Sequence, residues 1–452
     1  MIEVSEVPAV MISAGGPRPR TLTGEVRPGT PVRLLGHLHL VRRLGGVTFL
    51  VLRDRSGTVQ VVAPGRVDLP RESVLEVLGR GRADPRAPGG VEVQAERIAV
   101  LARPAGRPAF DISKPVLRAT LETQLDHRAL SLRHPRVAAT FRIAAALVRG
   151  FRQALEAEGF LEIHTSKLVG TATEGGAHLF PVVYGERQAY LAQSPQLYKQ
   201  ICVGAFERVY EVGPAFRNEP HETTRHLAEY TSLDVEAAFV TLEDLLDLET
   251  RLVRAMLEEV RRTAADAVRL LGVRIPSVDR IPRMTFEQAT EVLAAGAGRA
   301  GAPQGGAGRG TAGAAVADDL TPEAERRLGE HAARAGSDFL FVTHFPAASR
   351  PFYALPDPER PARSLSFDLL FRGLEVTTGG LRIHDARRLR RRLRERGLDP
   401  GAFRGYLEAF AAGMPPHGGF AIGLERFTAQ LCGLANLRAA ALFPRDRRRV
   451  EP

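Results

Sequence analysis

AFRNEPHETTRHLAEYTSLDVEAAF, residues 215–239, is the stretch that decides how this chain is read. Two apolar, strand-like runs flank a turn rich in His, Glu and Thr, the pattern of a hairpin with a long polar loop. Arg217 and Arg225 offer planar forks of donors that suit phosphate oxygens, and Glu219 can accept a hydrogen bond from an exocyclic amine. Residues of these types also make an ordinary solvated hairpin, so the stretch alone leaves both readings open. Two later segments favour the first: FDLLFRGLEVTTGGLRIHD at 367–385 and HGGFAIGLERFTAQLCG at 417–433.

In the first of these, Asp368 and Glu375 stand in one strand-like run. A separation of seven puts them on opposite faces of an unbroken strand, so joint work requires a bend or a bulge. Paired carboxylates suit Mg²⁺, which keeps waters and bridges to substrate phosphates. The Gly379-Gly380 pair predicts a turn that brings Arg382 towards a ligand. In the second segment a glycine-rich strand runs into a helix carrying Glu425 and Arg426. Its glycines allow backbone to approach a flat base, and Arg426 can stack on adenine or reach a terminal phosphate. Gln196 and Lys199 in LAQSPQLYKQ share a helix face if the helix starts after Pro195, a cation and an amide suited to a small carboxylate. No Walker A sequence and no Gly-x-Gly-x-x-Gly before a helix occurs, so ATP would be held by arginines and acidic residues.

At 452 residues the chain exceeds what one core usually serves, which predicts two or more domains. Charged residues make up 25% and the hydrophobic set 44%, ordinary for a soluble globular protein. No apolar run reaches the roughly 18 residues of a membrane span, and the N-terminus lacks a basic segment followed by an apolar core. A cytoplasmic protein with no membrane partner is expected. Cys202 and Cys432 lie far apart in apolar contexts and suggest neither a disulfide framework nor a zinc site. The formal charge of +10 favours a polyanionic partner. Only three of the 62 basic residues are lysines, Lys114, Lys167 and Lys199, a hint of a site that needs a compact ammonium, although an exposed lysine reads the same.

From Thr21 to about Val100 short alternating strands with Gly-containing turns predict a small β-barrel, and 1–105 is read as one domain. Residues 106–136, with several prolines, read as a linker or hinge. From 137 to 452 helices and strands alternate irregularly, which predicts an α+β domain with a central antiparallel sheet flanked by helices. Within it 293–316 is dominated by Gly and Ala and is expected to be a flexible surface insertion without chemistry. The Arg run at 386–397 has helical spacing, and fits either an RNA contact or a solvated face.

The three blocks together resemble the class II aminoacyl-tRNA synthetases, with the F-R-x-E hairpin as motif 2 and G-L-E-R as motif 3. QSPQLYKQ, the 367–385 run and the FPRD near the end are similar to the archaeal-type aspartyl enzymes. The resemblance covers nearly the whole chain apart from the Gly/Ala insertion. It implies an N-terminal OB-fold, a class II catalytic domain, ATP and Mg²⁺ as cofactors, L-aspartate as substrate and a homodimer. By motif, Arg217 would bind the α-phosphate and the substrate carboxylate, Glu219 the adenine amino group, Arg225 or His226 the far phosphates and Arg426 the γ-phosphate, with Tyr230 near the adenine. Asp368 and Glu375 match the Mg²⁺ ligands. Lys199 and Arg382 match the pair gripping the aspartate side chain, with Gln196, Asp234 and Glu174 around its α-amino group.

The same resemblance makes the barrel an anticodon-binding domain in which Phe49 stacks on a base, Gln60 hydrogen-bonds to one and Arg42 gives a third contact. His39 and Pro88 stand where relatives strict for the aspartate tRNA tend to carry Trp and Lys. They are similar to the relaxed forms that also charge tRNA(Asn), which implies an amidotransferase partner that converts aspartyl to asparaginyl on the tRNA. Motif 1 departs from the pattern, with Ser166 where a proline at the dimer interface is usual. Two other readings compete: a tRNA-independent paralogue, such as an ammonia-dependent asparagine synthetase, and an RNA-binding module whose catalytic part is a relic. Phe49 and Gln60 oppose the former, and the set Arg217, Glu219, Asp368, Glu375 and Arg426 opposes the latter.

Overall fold

The computed structural model describes residues 4–6, 18–171, 179–218, 223–297 and 318–451. Its contacts divide the chain into two units, Met1–His134 and Pro135–Pro452.

The first unit is a closed six-stranded sheet. Its strands are β1 (Val4–Glu6), β2 (Pro31–Leu44), β3 (Val47–Asp54), β4 (Gly57–Pro64), β5 (Val74–Ala83) and β6 (Val91–Ala102). They lie in the order β1-β6-β4-β3-β2-β5, and β5 also pairs with β6 and so closes the barrel. The two-residue period seen in the sequence sends Leu34, Leu50, Leu52, Val61, Val77 and Val93 into the interior, all fully buried. Register slips once between Leu38 and Leu40 of β2, which leaves His39 at a bulge. Residues after the barrel fold back as two short helices, Leu121–Asp126 and Arg128–Ser131, that belong to this unit.

The second unit carries the strands β7 (Leu161–Glu162), β8 (Leu168–Val169), β9 (Pro181–Tyr184), β10 (Arg187–Leu191), β11 (Arg208–Phe216), β12 (Glu229–Ala238), β13 (Arg283–Thr285), β14 (Phe339–Thr343), β15 (Ser366–Phe371), β16 (Leu374–Leu381) and β17 (His417–Gly423). Eight of them form one sheet in the order β13-β14-β15-β16-β17-β12-β11-β7. The six central strands are antiparallel as expected, but the edge strands β13 and β7 pair in parallel, so the sheet is mixed. Helices Pro135–Ala157 and Leu242–Thr263 cover one face. The second starts at a capping box, with the Thr241 hydroxyl accepting from the Asp244 N–H and the Asp244 carboxylate accepting from the Thr241 N–H. Its Leu245, Leu252, Val253, Met256 and Val260 recur at helical spacing and are fully buried against the sheet.

Two local expectations change. Asp368 and Glu375 do not share a strand: β15 and β16 form a hairpin about Arg372-Gly373, with a register shift at Leu369/Leu370. Gly379 and Gly380 make no turn but lie inside β16, where a Cβ at Gly379 would strike the Phe367 ring and Phe420. Residues 293–297 continue the helix Phe286–Ala297, because apolar Leu293 still packs inward; the rest of the 293–316 segment, from 298, lies outside the described residues.

Candidate active site

The face of the sheet away from those two helices forms a cleft of about 300 Å³. The hairpin β11–β12 makes one wall. Its register runs unbroken from Arg208 opposite Ala237 to Phe216 opposite Glu229, so residues 217–218 and 223–228 are delivered together at the sheet end. Arg217, Arg225, His226 and Tyr230 all line the cleft. The Arg217 guanidinium lies over the Tyr230 ring, 5.6 Å from its centroid, which keeps the fork side-on to the space in front of it. His226 Nδ1 is 2.6 Å from the Thr223 hydroxyl, which also accepts the Arg225 N–H.

The hairpin loop is braced from the C-terminal end of the chain. Leu437 N–H donates to the Thr224 carbonyl at 2.9 Å and Ala228 N–H to the Arg445 carbonyl at 2.8 Å. Asp446 of the FPRD segment pairs with Arg438 at 2.6 Å and so fixes the tail. Glu425, at the start of the helix Leu424–Cys432, accepts the Thr231 N–H with both oxygens, at 3.1 and 3.0 Å. Burial pushes this carboxyl up to about 7, against the pull of the Thr231 bond. Arg426, the next residue, lines the cleft and donates to the Glu375 carbonyl at 3.1 Å.

At the floor lies a buried ionic network. The helix Gln196–Phe206 begins after Pro195, as the sequence predicted, and aims Gln196 and Lys199 at β12. Lys199 Nζ is 3.0 Å from Asp234 Oδ1 and 3.2 Å from Glu236 Oε2. Arg382 Nε donates to Glu236 Oε1 at 2.9 Å and Nη2 to the Gly419 carbonyl at 3.0 Å. Burial would raise the Glu236 carboxyl, but the Arg382 and Lys199 charges outweigh it and hold it below the usual range. Asp234 Oδ2 is buried with no hydrogen-bond partner among the described residues. Lys199, Arg382, Gln196 and Asp234 all border the cleft, so two cations and an unsatisfied acceptor stand ready for a small zwitterion.

Asp368 and Glu375 occupy different depths. Glu375 lines the cleft, whereas Asp368 is buried beneath Arg350, which donates to its Oδ2 at 2.7 Å. Burial, with Arg350 opposing and Glu375 adding its repulsion, pushes the Asp368 carboxyl up to about 7. Its Oδ1 has no partner among the described residues. An orphaned acceptor near a second carboxylate is a donor set that fits Mg²⁺, with phosphate and water completing the shell.

Two residues of this site, Arg350 and Glu325, escaped the sequence reading, and Glu236 stood out in the return strand of the hairpin without a role. Glu236 joins the two cations, Arg350 covers Asp368 from 18 positions away, and Glu325 accepts both Arg225 and the Glu375 N–H on one oxygen. Glu236 falls two residues after Asp234 on the same strand face, the one signal that could have given it a role. Glu174 and Glu219 lie outside the described residues.

In the barrel Arg42 and Phe49 are opposite partners on β2 and β3. Gln60 on β4 pairs with Val51, two residues along on the face of Phe49, and donates to Glu92 at 2.9 Å. The Phe49 ring is half-buried and takes no part in the core, which suits a stacking platform. Pro88 is exposed in the turn Pro88–Gly90 that joins β5 to β6.

Comparison with known proteins accords with this geometry. Residues 120–447 match the family of class II tRNA synthetases (D, K and N), and 32–101 match the OB-fold nucleic acid binding domain. The chain is 52% identical to the aspartate--tRNA(Asp/Asn) ligase of Thermus thermophilus, over 94% of this chain and 97% of that protein. It is 47% identical to the ligase of the same name from Deinococcus radiodurans, over 96% and 99%. Asparaginyl-tRNA synthetase from Pyrococcus horikoshii, complexed with asparaginyl-adenylate, has a similar structure, with a TM-score of 0.86 at 32% identity over 96% of this chain and 99% of that one. The chain belongs to the class II tRNA synthetases of the D, K and N group, with an OB-fold domain preceding the catalytic one.

Proposed function

We propose that this chain is an aspartate--tRNA(Asp/Asn) ligase, which activates L-aspartate with ATP and transfers it to tRNA(Asp) and tRNA(Asn). The observation that carries the choice of amino acid is the Lys199–Glu236–Arg382 array, two buried cations bordering the cleft with one fixed carboxylate between them. An aspartate side chain gives both cations an anionic partner. Asparagine brings no charge to add to that of Glu236 and turns an amide N–H towards two groups that only donate, a loss of several kcal/mol in a desolvated site.

In this reading the α-carboxylate of aspartate attacks the α-phosphorus of ATP. A new P–O bond forms, the bond to the β-phosphate oxygen breaks, and pyrophosphate leaves with its electron pair. No general base is needed, because the carboxylate is already ionised. Arg217 meets the charge on the α-phosphate while Tyr230 fixes its plane. Arg225 and His226 take the far phosphates, Arg426 the γ-phosphate, and Glu219 the adenine amine. Gln196, Asp234 and Glu174 receive the α-amino group, for which the unsatisfied Asp234 Oδ2 is well suited. Mg²⁺ held by Glu375 and Asp368 would neutralise phosphate charge and orient the chain for in-line attack. A ribose hydroxyl of the tRNA terminus then attacks the acyl carbon and AMP departs.

Arg42, Phe49 and Gln60 contact the anticodon, and His39 and Pro88 leave room for either last base. Relaxed choice requires a tRNA-dependent amidotransferase in the same cell. A homodimer is supported by exposed apolar Leu161 and Leu168 on either side of Ser166. A cytoplasmic setting accords with the absence, among the described residues, of any helix long and apolar enough to cross a membrane. Charging of separate tRNA(Asp) and tRNA(Asn) transcripts with labelled aspartate tests the proposal. Charging of tRNA(Asp) alone removes the relaxed reading, and aspartate-dependent pyrophosphate exchange without any charging points to the tRNA-independent paralogue.

A further inference from the structure

We propose that the Arg53–Glu72 ion pair is a positioning device that holds His39 as a neutral imidazole with its proton on Nε2, so that the ring offers a nucleobase one donor and no positive charge. The proposal rests on the reading of His39 as a residue beside the last anticodon base, and deepens it.

His39 sits at the bulge of β2, where the slip between Leu38 and Leu40 frees it from the ladder and re-aims its side chain. It borders an open cavity of about 910 Å³ together with Pro70–Glu72 and residues 104 and 106–113. Arg53 Nη1 lies 2.7 Å from His39 Nδ1. A guanidinium has only donors, so Nδ1 must accept, and the single proton of a neutral ring then resides on Nε2. The orientation of Arg53 is fixed in turn: its Nη2 donates to Glu72 Oε2 at 2.9 Å, and Arg133 donates to the same oxygen at 3.3 Å. Glu72 is buried, adopts a left-handed backbone at φ 68°, and keeps Oε1 without a partner among the described residues. A strained, buried carboxylate is a costly way to hold one arginine, which points to a role beyond packing. The balance of the groups facing the ring favours the neutral form. Burial and then the Arg53 charge hold its pKa down to about 4, with His134 adding to them and Glu72 and Asp111 opposing.

The chemical consequence concerns the two pyrimidines that distinguish the aspartate and asparagine anticodons. Cytosine and uracil share the O2 carbonyl and differ in the donor or acceptor character of N3 and the group on C4. A lone Nε2–H is satisfied by the shared carbonyl. A ring with the opposite tautomer would accept from the base, and an imidazolium would favour the stronger acceptor, so either would separate the two bases.

Ring ¹⁵N spectra of the full-length protein test the tautomer directly. The expected result is a His39 ring with Nδ1 unprotonated, Nε2 protonated, and no titration between about pH 5.5 and 8. A proton on Nδ1, or titration near the ordinary value of about 6.5, overturns the proposal. Charging gives the second readout. The ratio of kcat/KM for tRNA(Asp) and tRNA(Asn) should be flat with pH in the wild type and in Arg53→Lys, which still only donates. In Arg53→Met it should change at least about threefold between pH 6 and 8, the interval over which an ordinary imidazole discharges. A flat ratio in a folded Arg53→Met, with His39 chemical shifts unmoved, overturns it. If Arg53→Met does not fold, the wild-type spectra and Arg53→Lys still decide. Should the wild type charge tRNA(Asp) alone, the relaxed reading fails while the spectra judge the tautomer independently.

Discussion

Arg382 Nε donates to Glu236 Oε1 at 2.9 Å, and the carboxylate that receives it is wholly buried. Glu236 therefore fixes the second cation of the cleft rather than meeting substrate alone. Removing it takes from Arg382 its carboxylate partner and from Lys199 one of two. Glu236→Ala is expected to lower stability by about 3–5 kcal/mol, as truncating one partner of a buried ion pair does, measured by urea denaturation. A loss under about 1 kcal/mol would mean the network is solvated and contributes little.

Lys199→Ala removes the other cation. Aspartate-dependent pyrophosphate exchange should fall at least about a hundredfold in kcat/KM for aspartate, with ATP affinity by equilibrium binding within about twofold of wild type. Equal losses for aspartate and ATP would remove Lys199 from the amino-acid site.

Gly419 approaches its neighbour on β12 so closely that a Cβ would strike the Val235 carbonyl and the Glu236 carboxylate. The carbonyl belongs to a paired strand and cannot yield. Gly419→Ala should raise the KM for aspartate by displacing Glu236 and also lower the melting temperature, whereas Gly423→Ala, with only Arg426 side-chain atoms at 3.7–3.8 Å, should leave the melting temperature unchanged.

Glu325 binds Arg225 and the Glu375 N–H with one oxygen. Glu325→Gln loosens Arg225, proposed above to hold the far phosphates, so the KM for ATP should rise about three- to tenfold with the KM for aspartate unchanged. A selective rise for aspartate would contradict the placing of Arg225 on ATP.

Glu249 carries the pH dependence. It lies fully buried on the helix Leu242–Thr263, neither oxygen has a partner among the described residues, and burial raises its carboxyl to about 8, against an opposing pull from nearby Thr377 and with a smaller push from Asp368. A folded pKa above the unfolded value of 4.5 means the native state binds the extra proton between the two. The stability it contributes is full below pH 4.5 and lost as pH rises through about 8. Glu249→Gln should thus gain on wild type by up to about 1.4 kcal/mol per pH unit across this window. Urea denaturation at pH 5 and pH 8.5 measures the difference, and a gap that does not widen with pH would show that Glu249 is already solvated.

The barrel and the motif 2 hairpin were legible because both rest on local rules, the two-residue period in Leu34, Leu50, Leu52 and Val61 and the paired runs either side of Arg225. The cleft residues stand on separate elements, and residue chemistry singled out candidates such as Lys199, Glu375 and Arg426 while the family resemblance supplied their grouping. Glu325 and Arg350 were missed because each acts across the fold, on partners 50 to 100 or 18 positions away, and a charged residue in a helix or loop reads the same whether solvated or buried. The glycine pair misled for a related reason. Gly379 signals close packing against Phe367 and Phe420, and in sequence that looks the same as a turn.

The brace between the hairpin loop and the chain's far end sets an order on assembly. Residues 196–236 place most of the cleft floor and the hairpin, yet the Thr224 carbonyl and the Ala228 N–H find partners in Leu437 and Arg445. Because synthesis runs from the N-terminus, a ribosome has made almost the entire catalytic domain before the loop carrying Arg225 and His226 can be clamped. A chain shortened ahead of Leu437 would keep the core packed on the sheet and lose both clamps on that loop.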